Sequence, residues 1–489
     1  MLEESLRPVW HPFEVSHNEW KSRRWMLAGM SEERLFERLL FLVIALLACL
    51  MPVQNDTWWH LRAGDIMLET RRVLLTDVFS HTVTGQPWPN YEWLSEVVFA
   101  LVYRVGGLPL LTALCAAAST ASLWFVFAIT PGTRLQRTLL LAGVVSGVTI
   151  TWSVRPQPLS LLLLGLTLWL LQRRRWAPLP PLFLLWANLH GAVALGGVAL
   201  LGMTAAYVLR QRSCPPRLAV TAALCGVATL ITPLGLHYWP EIVASIGRSR
   251  ANTIMEWRPP DWPPDNLAFW AAAAALPVLW VTRWNRLKSP EQWALPITAL
   301  LMLLIALRSM RNISPFLMIA APACGAFLGT PQLTVPERRP GDPRAPRVLL
   351  GAGVLAVVFM VCRHWQDPPP RMGWHPISPA AARAIESCHG PIYNRYVDGG
   401  PIIYFAPRQH VMIDSRQDPY PTWLVQADGD IEMTGEYRTL FRRLAINCAA
   451  VPPSALVATH LRRDGWTVRH IDERWTVLDA PFPKRDPRP

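Results

Sequence analysis

Apolar residues in this 489-residue chain fall into long runs separated by short polar clusters. A helix that crosses a bilayer needs roughly 20 apolar residues. The runs predict spans near 37–53, 108–129, 138–153, 157–172, 177–189, 191–210, 218–232, 266–282, 291–308, 312–329 and 347–363. The segment Glu92–Arg104 is charged at both ends and followed by a glycine pair, which predicts a re-entrant or interfacial helix leading into the second span. Beyond residue 364 the pattern changes. Short β-like runs near Pro391–Tyr393, Val411–Asp414, Ala445–Val451, Thr467–Ile471 and Thr476–Leu478 alternate with helical stretches near Pro379–Ser387, Tyr437–Leu444 and Ser454–Arg463. Such alternation predicts a small α/β domain. The expected fold is a polytopic α-helical membrane protein with about 11 transmembrane helices and a small C-terminal extracytoplasmic α/β domain. Its divisions are 1–36 (cytoplasmic N-terminal segment), 37–363 (transmembrane domain, with a polar loop at 54–96) and 364–489 (extracytoplasmic domain).

Composition agrees with this division. Hydrophobic residues make up 51% and charged residues 17%, the balance of a multispan membrane protein. The net charge of +13 sits in short clusters between apolar runs, not on one basic face, so nucleic acid is not the expected partner. Alternate connections carry the arginines, at Arg134/Arg137, Arg173–Arg175, Arg210/Arg212/Arg217, Arg283/Arg286/Lys288 and Arg338/Arg339/Arg344/Arg347. By the positive-inside rule these are cytoplasmic. The loop after Asp56, the segment Thr232–Asn266 and the region after His364 then lie outside, as expected in a bacterial inner membrane with a cytoplasmic N-terminus and no cleaved signal peptide. The segment Pro331–Arg347 reads as a solvated linker. The eight cysteines form no CxxC pair; only Cys388 and Cys448 share a soluble region and are a candidate disulfide if it faces an oxidising compartment.

The loop Asn55–Glu96 concentrates polar chemistry at a bilayer boundary. Asp56 lies at the outer end of the first span, where an ionised group needs water or a partner. It is either a general base for an acceptor hydroxyl or a helix-end residue paired with Arg62 or another arginine. His60, one helical turn on, shares its face and either orients Asp56 or binds phosphate. Glu92 and Glu96 share a face as well, as site carboxylates or as acids favoured at a helix N-terminus. Asp77 adds a further carboxylate. Most of the 24 tryptophans fit an interfacial aromatic belt; Trp58, Trp59, Trp88 and Trp93 lie in the loop and are candidates to stack on a sugar.

The strings NDTWWHLRAGD, LLTDVFSHTVTGQPW and YEWLSE resemble the first outer loop of bacterial integral-membrane glycosyltransferases of the GT-C superfamily, in the branch with a D-x-W-W-H-L-R-x-G opening. The resemblance runs through the multispan body to IYNRYVDGGPIIYFAPRQHVMIDSRQDPY. It implies a polyprenyl-phosphate-linked sugar donor, transfer with inversion to an extracytoplasmic glycan, lipid or protein acceptor, and a first-loop carboxylate as base or acceptor orienter, the position that Asp56 matches. Many members carry two adjacent acids there; here Asn55 precedes Asp56, which counts against a paired-carboxylate or metal-assisted mechanism. No cofactor is expected to be required, with a divalent cation left open.

Departure of a polyprenyl phosphate needs positive charge near the leaving oxygens. Arg155, Arg258, Arg308 and Arg311 stand on the expected outer side, against the positive-inside trend. They are phosphate contacts or arginines snorkelling to headgroups. His190, in a turn with Asn188, is a substrate contact or a satisfied structural histidine. In the C-terminal region, Asp398, Gly399, Gly400, Asp414, Arg416 and Asp418 stand in turns, where ligand contact and capping explain them about equally. Two other classes compete with the enzyme. A transporter or flippase of lipid-linked saccharides predicts charges buried mid-span, and a non-catalytic envelope scaffold predicts tolerance to loss of Asp56 and His60.

Overall fold

The computed structural model describes residues 32–251, 254–262, 266–329 and 345–481. The expected N-terminal segment before Glu32 and the linker before Ala345 lie outside these residues. The helical body comprises α1 (Glu32–Cys49), α2 (Asn55–Thr70), α3 (Trp93–Ile129), α4 (Arg134–Val148), α5 (Gln157–Gln172), α6 (Leu179–Leu189), α7 (Ala194–Gln211), α8 (Pro216–Ala228), α9 (Tyr238–Ala251), α10 (Leu267–Arg283), α11 (Pro290–Ala306), α12 (Ile313–Leu328) and α13 (Ala345–Gln366). Every apolar run in the sequence holds one of these helices; α2 and α9 are additional. The segments Trp93–Ile129, Gly191–Gln211, Leu267–Arg286 and Ala345–Gln366 are long and apolar enough, by length and composition, to cross a membrane.

Helix α3 absorbs the interfacial segment expected before the second span: it bends where Gly106 and Gly107 leave helical geometry, so its first part lies at an angle to the rest. Helices packed in lipid gain little from the hydrophobic effect and approach closely through small residues. Gly64 of α2 shows this, since a Cβ there would come 2.1 Å from the backbone oxygen of Glu96 on α3. Helix α13 has no buried residue and rests mainly on α1, leaving its apolar surface outward.

The C-terminal unit contains α14 (Pro379–Glu386), β1 (Ile392–Tyr393), α15 (Gly399–Phe405), α16 (Thr422–Thr434), α17 (Arg438–Leu444), β2 (Cys448–Val451), α18 (Leu456–Arg463), β3 (Thr467–Ile471) and β4 (Thr476–Asp479). The sheet order is β1-β2-β4-β3, with β1 and β2 parallel and the other pairs antiparallel. Cys448 opposes Asp479, and Val451 opposes Thr476. Cys388 and Cys448 form a disulfide with their Cα atoms 5.9 Å apart. The run Val411–Asp414 was expected as a strand and is not one. Its backbone pairs instead with the polar loop: Val411 N–H donates to Phe79 O at 3.0 Å and His81 N–H to Val411 O at 3.0 Å. The C-terminal unit is therefore clasped directly onto the loop that follows α1.

Helix α15 packs on α2 in the same way that α2 packs on α3. A Cβ at Gly400 would lie 2.1 Å from Asn55 O, and one at Gly399 would lie 2.4 Å from Ile413 O. The Asp-Gly-Gly string is thus a close-approach device that brings the C-terminal unit against the start of α2.

Candidate active site

Alternate connections of the helical body converge at one end. They are α1 to α3, α4 to α5, α6 to α7, α8 to α10, α11 to α12, and the exit from α13. Together with the C-terminal unit they surround a cavity of about 1140 Å³. Its polar wall carries Asp56, His60, Glu92, Arg155, His190 and Glu256, each from one of these connections. The same lining includes apolar side chains: Leu161 of α5, Leu195 and Val198 of α7, and Leu304 and Ile305 of α11.

Asp56 lies in the first turn of α2, where the helix N-terminus favours a negative charge. Its Oδ2 accepts from Arg155 Nη1 at 2.8 Å, and its Oδ1 accepts from the Ser415 hydroxyl. Burial alone pushes the carboxyl up, but Arg155 and the two hydrogen bonds outweigh it and hold Asp56 below the usual carboxylate range. Asp56 is an anion at neutral pH. Arg155 also donates through Nη2 to Glu256 at 2.9 Å and through Nε to Ser153 at 2.9 Å. Its guanidinium thus bridges two carboxylates from α2 and from the connection after α9. Arg155, expected as a phosphate contact or a snorkelling arginine, has its charge engaged here by two protein carboxylates.

His60 is buried between two glutamates, with Nε2 3.5 Å from Glu92 and Nδ1 3.3 Å from Glu96. Asn90 Nδ2 donates to the other Glu96 oxygen at 2.8 Å. The shared face expected for Glu92 and Glu96 therefore serves one imidazole. Glu92 Oε1 lies 3.0 Å from His190 Nε2. Trp186 Nε1–H donates to Ser160 Oγ at 2.7 Å, and that hydroxyl lies 2.7 Å from His190 Nδ1. Burial raises the Glu92 carboxyl, but the His190 contact and neighbouring cations bring it to about 2; burial keeps the His190 imidazole below its ordinary value and hence neutral.

Arg308 and Arg311 line the same cavity. Arg311 Nη2 lies 3.1 Å from His190 Nε2, and its guanidinium sits 5.4 Å above the Trp257 ring. Among the described residues neither arginine forms a carboxylate ion pair within 4.0 Å. Arg258 bonds through its carbonyl, which accepts from Met310 N–H at 2.9 Å, and does not line the cavity.

The remaining sequence candidates fall elsewhere. Trp58 is buried against Tyr404 and Phe405, because it points to the opposite side of α2 from Asp56. Arg62 is half-buried outside the cavity wall. Asp77 is fully buried and bonded to Arg416 and to Ser80, where it joins the loop to the C-terminal unit. Glu96 does not line the cavity and reaches it through His60 and Asn90. Trp59 and Trp88 do line it, whereas Trp93 donates to Asn188 at 2.9 Å. Trp59 lies against the His60 imidazole at 3.6 Å between centroids.

Sequence reasoning missed Glu256, Ser415, Tyr396 and Gln417. Glu256 stands beside the noted Arg258 in a segment with no helical or strand pattern. The other three come from the C-terminal unit, and no local signal links them to a loop more than 300 positions away.

No family model matches the sequence, and no curated protein does. Solved structures do match in fold. The archaeal oligosaccharyltransferase AglB from Archaeoglobus fulgidus, in complex with an inhibitory peptide and a dolichol-phosphate, superposes with a TM-score of 0.56 at 10% identity, over 86% of this chain and 70% of that one. The Archaeoglobus fulgidus oligosaccharyltransferase in the apo form gives 0.55 at 10% identity, over 85% and 69%. ArnT from Cupriavidus metallidurans in the apo state covers 94% and 98% at 14% identity, but its TM-score of 0.45 is too loose to argue from. The chain is thus similar in fold, across most of its length, to these oligosaccharyltransferase structures.

Proposed function

We propose that this chain is a membrane glycosyltransferase of the GT-C type, moving a sugar from a polyprenyl-phosphate carrier to an acceptor hydroxyl on the extracytoplasmic side. In this reading the apolar helices of the body lie in the bilayer, and the cavity opens at the outer face. The carrying observation is the cavity itself: it is lined by an ionised Asp56, by Arg308 and Arg311, which have no carboxylate partner among the described residues, and by apolar side chains of α5, α7 and α11. An anionic headgroup with a long hydrocarbon tail needs that pairing. AglB, the fold neighbour, was solved with a dolichol-phosphate.

In the proposed step the acceptor oxygen attacks the anomeric carbon from the face opposite the phosphate. The new carbon–oxygen bond forms as the bond to the phosphate oxygen breaks, and the leaving phosphate takes the electron pair. Arg308 and Arg311 stabilise the charge that develops there. Asp56 accepts the hydrogen bond of the attacking group and takes its proton late, which suits a carboxylate held below its usual range. His60, Glu92 and His190 shape the pocket around the sugar. No divalent cation is required, because Arg155 already spans Asp56 and Glu256 where such an ion would bind.

The transporter reading is disfavoured by where the charges lie: the cavity's ionised groups come from connections at one end, not from mid-helix positions. The test is release of polyprenyl phosphate from a panel of labelled polyprenyl-phosphate hexoses and pentoses by membranes containing the protein. Asp56→Asn is expected to lower turnover by on the order of 10²-fold or more, and a chelator is expected to leave it unchanged. Wild-type turnover in a membrane-inserted Asp56→Asn protein overturns the role of Asp56, and loss of turnover on chelation overturns the metal-free mechanism.

A further inference from the structure

Residues Asp414–Asp418, the string DSRQD, stitch the C-terminal unit to three other parts of the site. Arg416 is fully buried. Its Nη2 donates to Asp77 of the first loop and to Asp414 Oδ2 at 2.7 Å, and its guanidinium lies 4.8 Å from the Phe79 ring and 4.7 Å from the Trp88 ring. Gln417 Nε2 donates to Ser249 of α9 at 2.6 Å. Asp418 accepts from Tyr91 Oη at 2.6 Å and from Arg248 of α9 at 2.9 Å. Between these anchors stands Ser415. Its Oγ accepts from Trp59 Nε1 at 3.2 Å and donates to Asp56 Oδ1, while its carbonyl accepts from Tyr396 Oη at 3.0 Å.

We infer that Ser415 is a positioning residue for Asp56, so that the C-terminal unit completes the catalytic centre rather than merely standing over it. Asp56 is held on one oxygen by Arg155 and on the other by Ser415. These two contacts, one on each carboxylate oxygen, fix which lone pairs remain for an acceptor. Arg155 belongs to the helical body, and Ser415 arrives from a segment anchored on either side by buried ionic contacts. A hydroxyl so held cannot rotate away, because Trp59 N–H and Asp56 together use its acceptor and its donor. Loss of the hydroxyl leaves the Asp56 carboxylate free to swing and leaves the buried Trp59 N–H without its acceptor.

This inference rests on the reading of Asp56 as the group that contacts the acceptor, and the experiment separates the two. Ser415→Ala, Ser415→Thr and Asp56→Asn are compared in intact membranes for kcat, KM for the labelled donor, and the pH dependence of kcat/KM. Ser415→Ala is expected to lower kcat on the order of tenfold with KM for the donor little changed. Its acid limb is expected to move to higher pH, since a hydrogen bond that favours the Asp56 anion is gone. Ser415→Thr keeps the hydroxyl and is expected to recover most of kcat and the wild-type limb. An inactive Asp56→Asn with Ser415→Ala unchanged in kcat and pH profile overturns the inference and leaves the reading of Asp56 standing. A fully active Asp56→Asn overturns both. Equal loss in Ser415→Ala and Ser415→Thr, with no movement of the acid limb, marks a purely structural contact and also overturns the inference.

Discussion

Glu92 caps α3 with its two carboxylate oxygens directed at different imidazoles, His190 at 3.0 Å and His60 at 3.5 Å. A carboxylate depressed from 4.5 to about 2 stabilises the fold only while ionised. The folded value lies below the unfolded one, so the contribution is fully present above pH 4.5 and is lost as the pH falls from about 4.5 to about 2. Its upper size is on the order of 3 kcal/mol. Thermal melting in detergent across that window is expected to show wild type losing more stability than Glu92→Gln, which has no proton to gain. Parallel acid slopes for the two proteins contradict the assignment of Glu92 as the anion of this pair. The residue types here were legible in the sequence: acids and histidines crowded into one loop are costly beside a bilayer unless they pair. Which acid met which histidine was not legible, because His190 comes from the connection between α6 and α7, and its register toward Glu92 is set by how those helices pack.

At the scale of elements, the decisive contacts are backbone approaches that a side chain would block. Helix α15 rests on α2 through Gly400, and α2 rests on α3 through Gly64, so three elements are stacked with the catalytic candidate at the N-terminus of the middle one. A Cβ at Gly400 meets the backbone oxygen of Asn55, the residue next to Asp56, so any relief taken by the start of α2 moves Asp56. Gly400→Ala is expected to destabilise by about 1–3 kcal/mol and to lower turnover further than its stability loss accounts for. Gly429, within α16, has nothing near its Cβ position, and Gly429→Ala is expected to stabilise by roughly 0.5–1 kcal/mol. Melting temperatures and donor turnover of the two variants check both; similar behaviour of the two contradicts the close-packing account. The apolar helices of the body were legible as long apolar runs, whereas α2, α9 and α16 were not. The short α15 was not, since a segment opening on two glycines has poor helix propensity and forms only because α2 is there to receive it.

The alternation of basic and polar connections told, from sequence, which loops share an end of the molecule, and the polar wall of the cavity is assembled from one such set. The joint between body and C-terminal unit was hidden, because Asp77–Arg416 and Phe79–Val411 join positions with no common pattern to mark them. That joint makes the topology testable at the far end of the chain. In the proposed orientation, with the cavity at the outer face, the C-terminal unit stands in an oxidising compartment, where the disulfide Cys388–Cys448 persists. It closes a loop with a sequence separation of 60, for which chain entropy gives about 4 kcal/mol of stabilisation. Denatured membranes treated with a thiol-reactive polyethylene glycol before and after reduction are expected to gain two adducts on reduction. A Cys388→Ser/Cys448→Ser protein is expected to gain none and to melt at lower temperature. Both cysteines reacting without reduction place the C-terminal unit on the reducing side, and with it the cavity that it closes, which removes the extracytoplasmic acceptor from the proposed reaction.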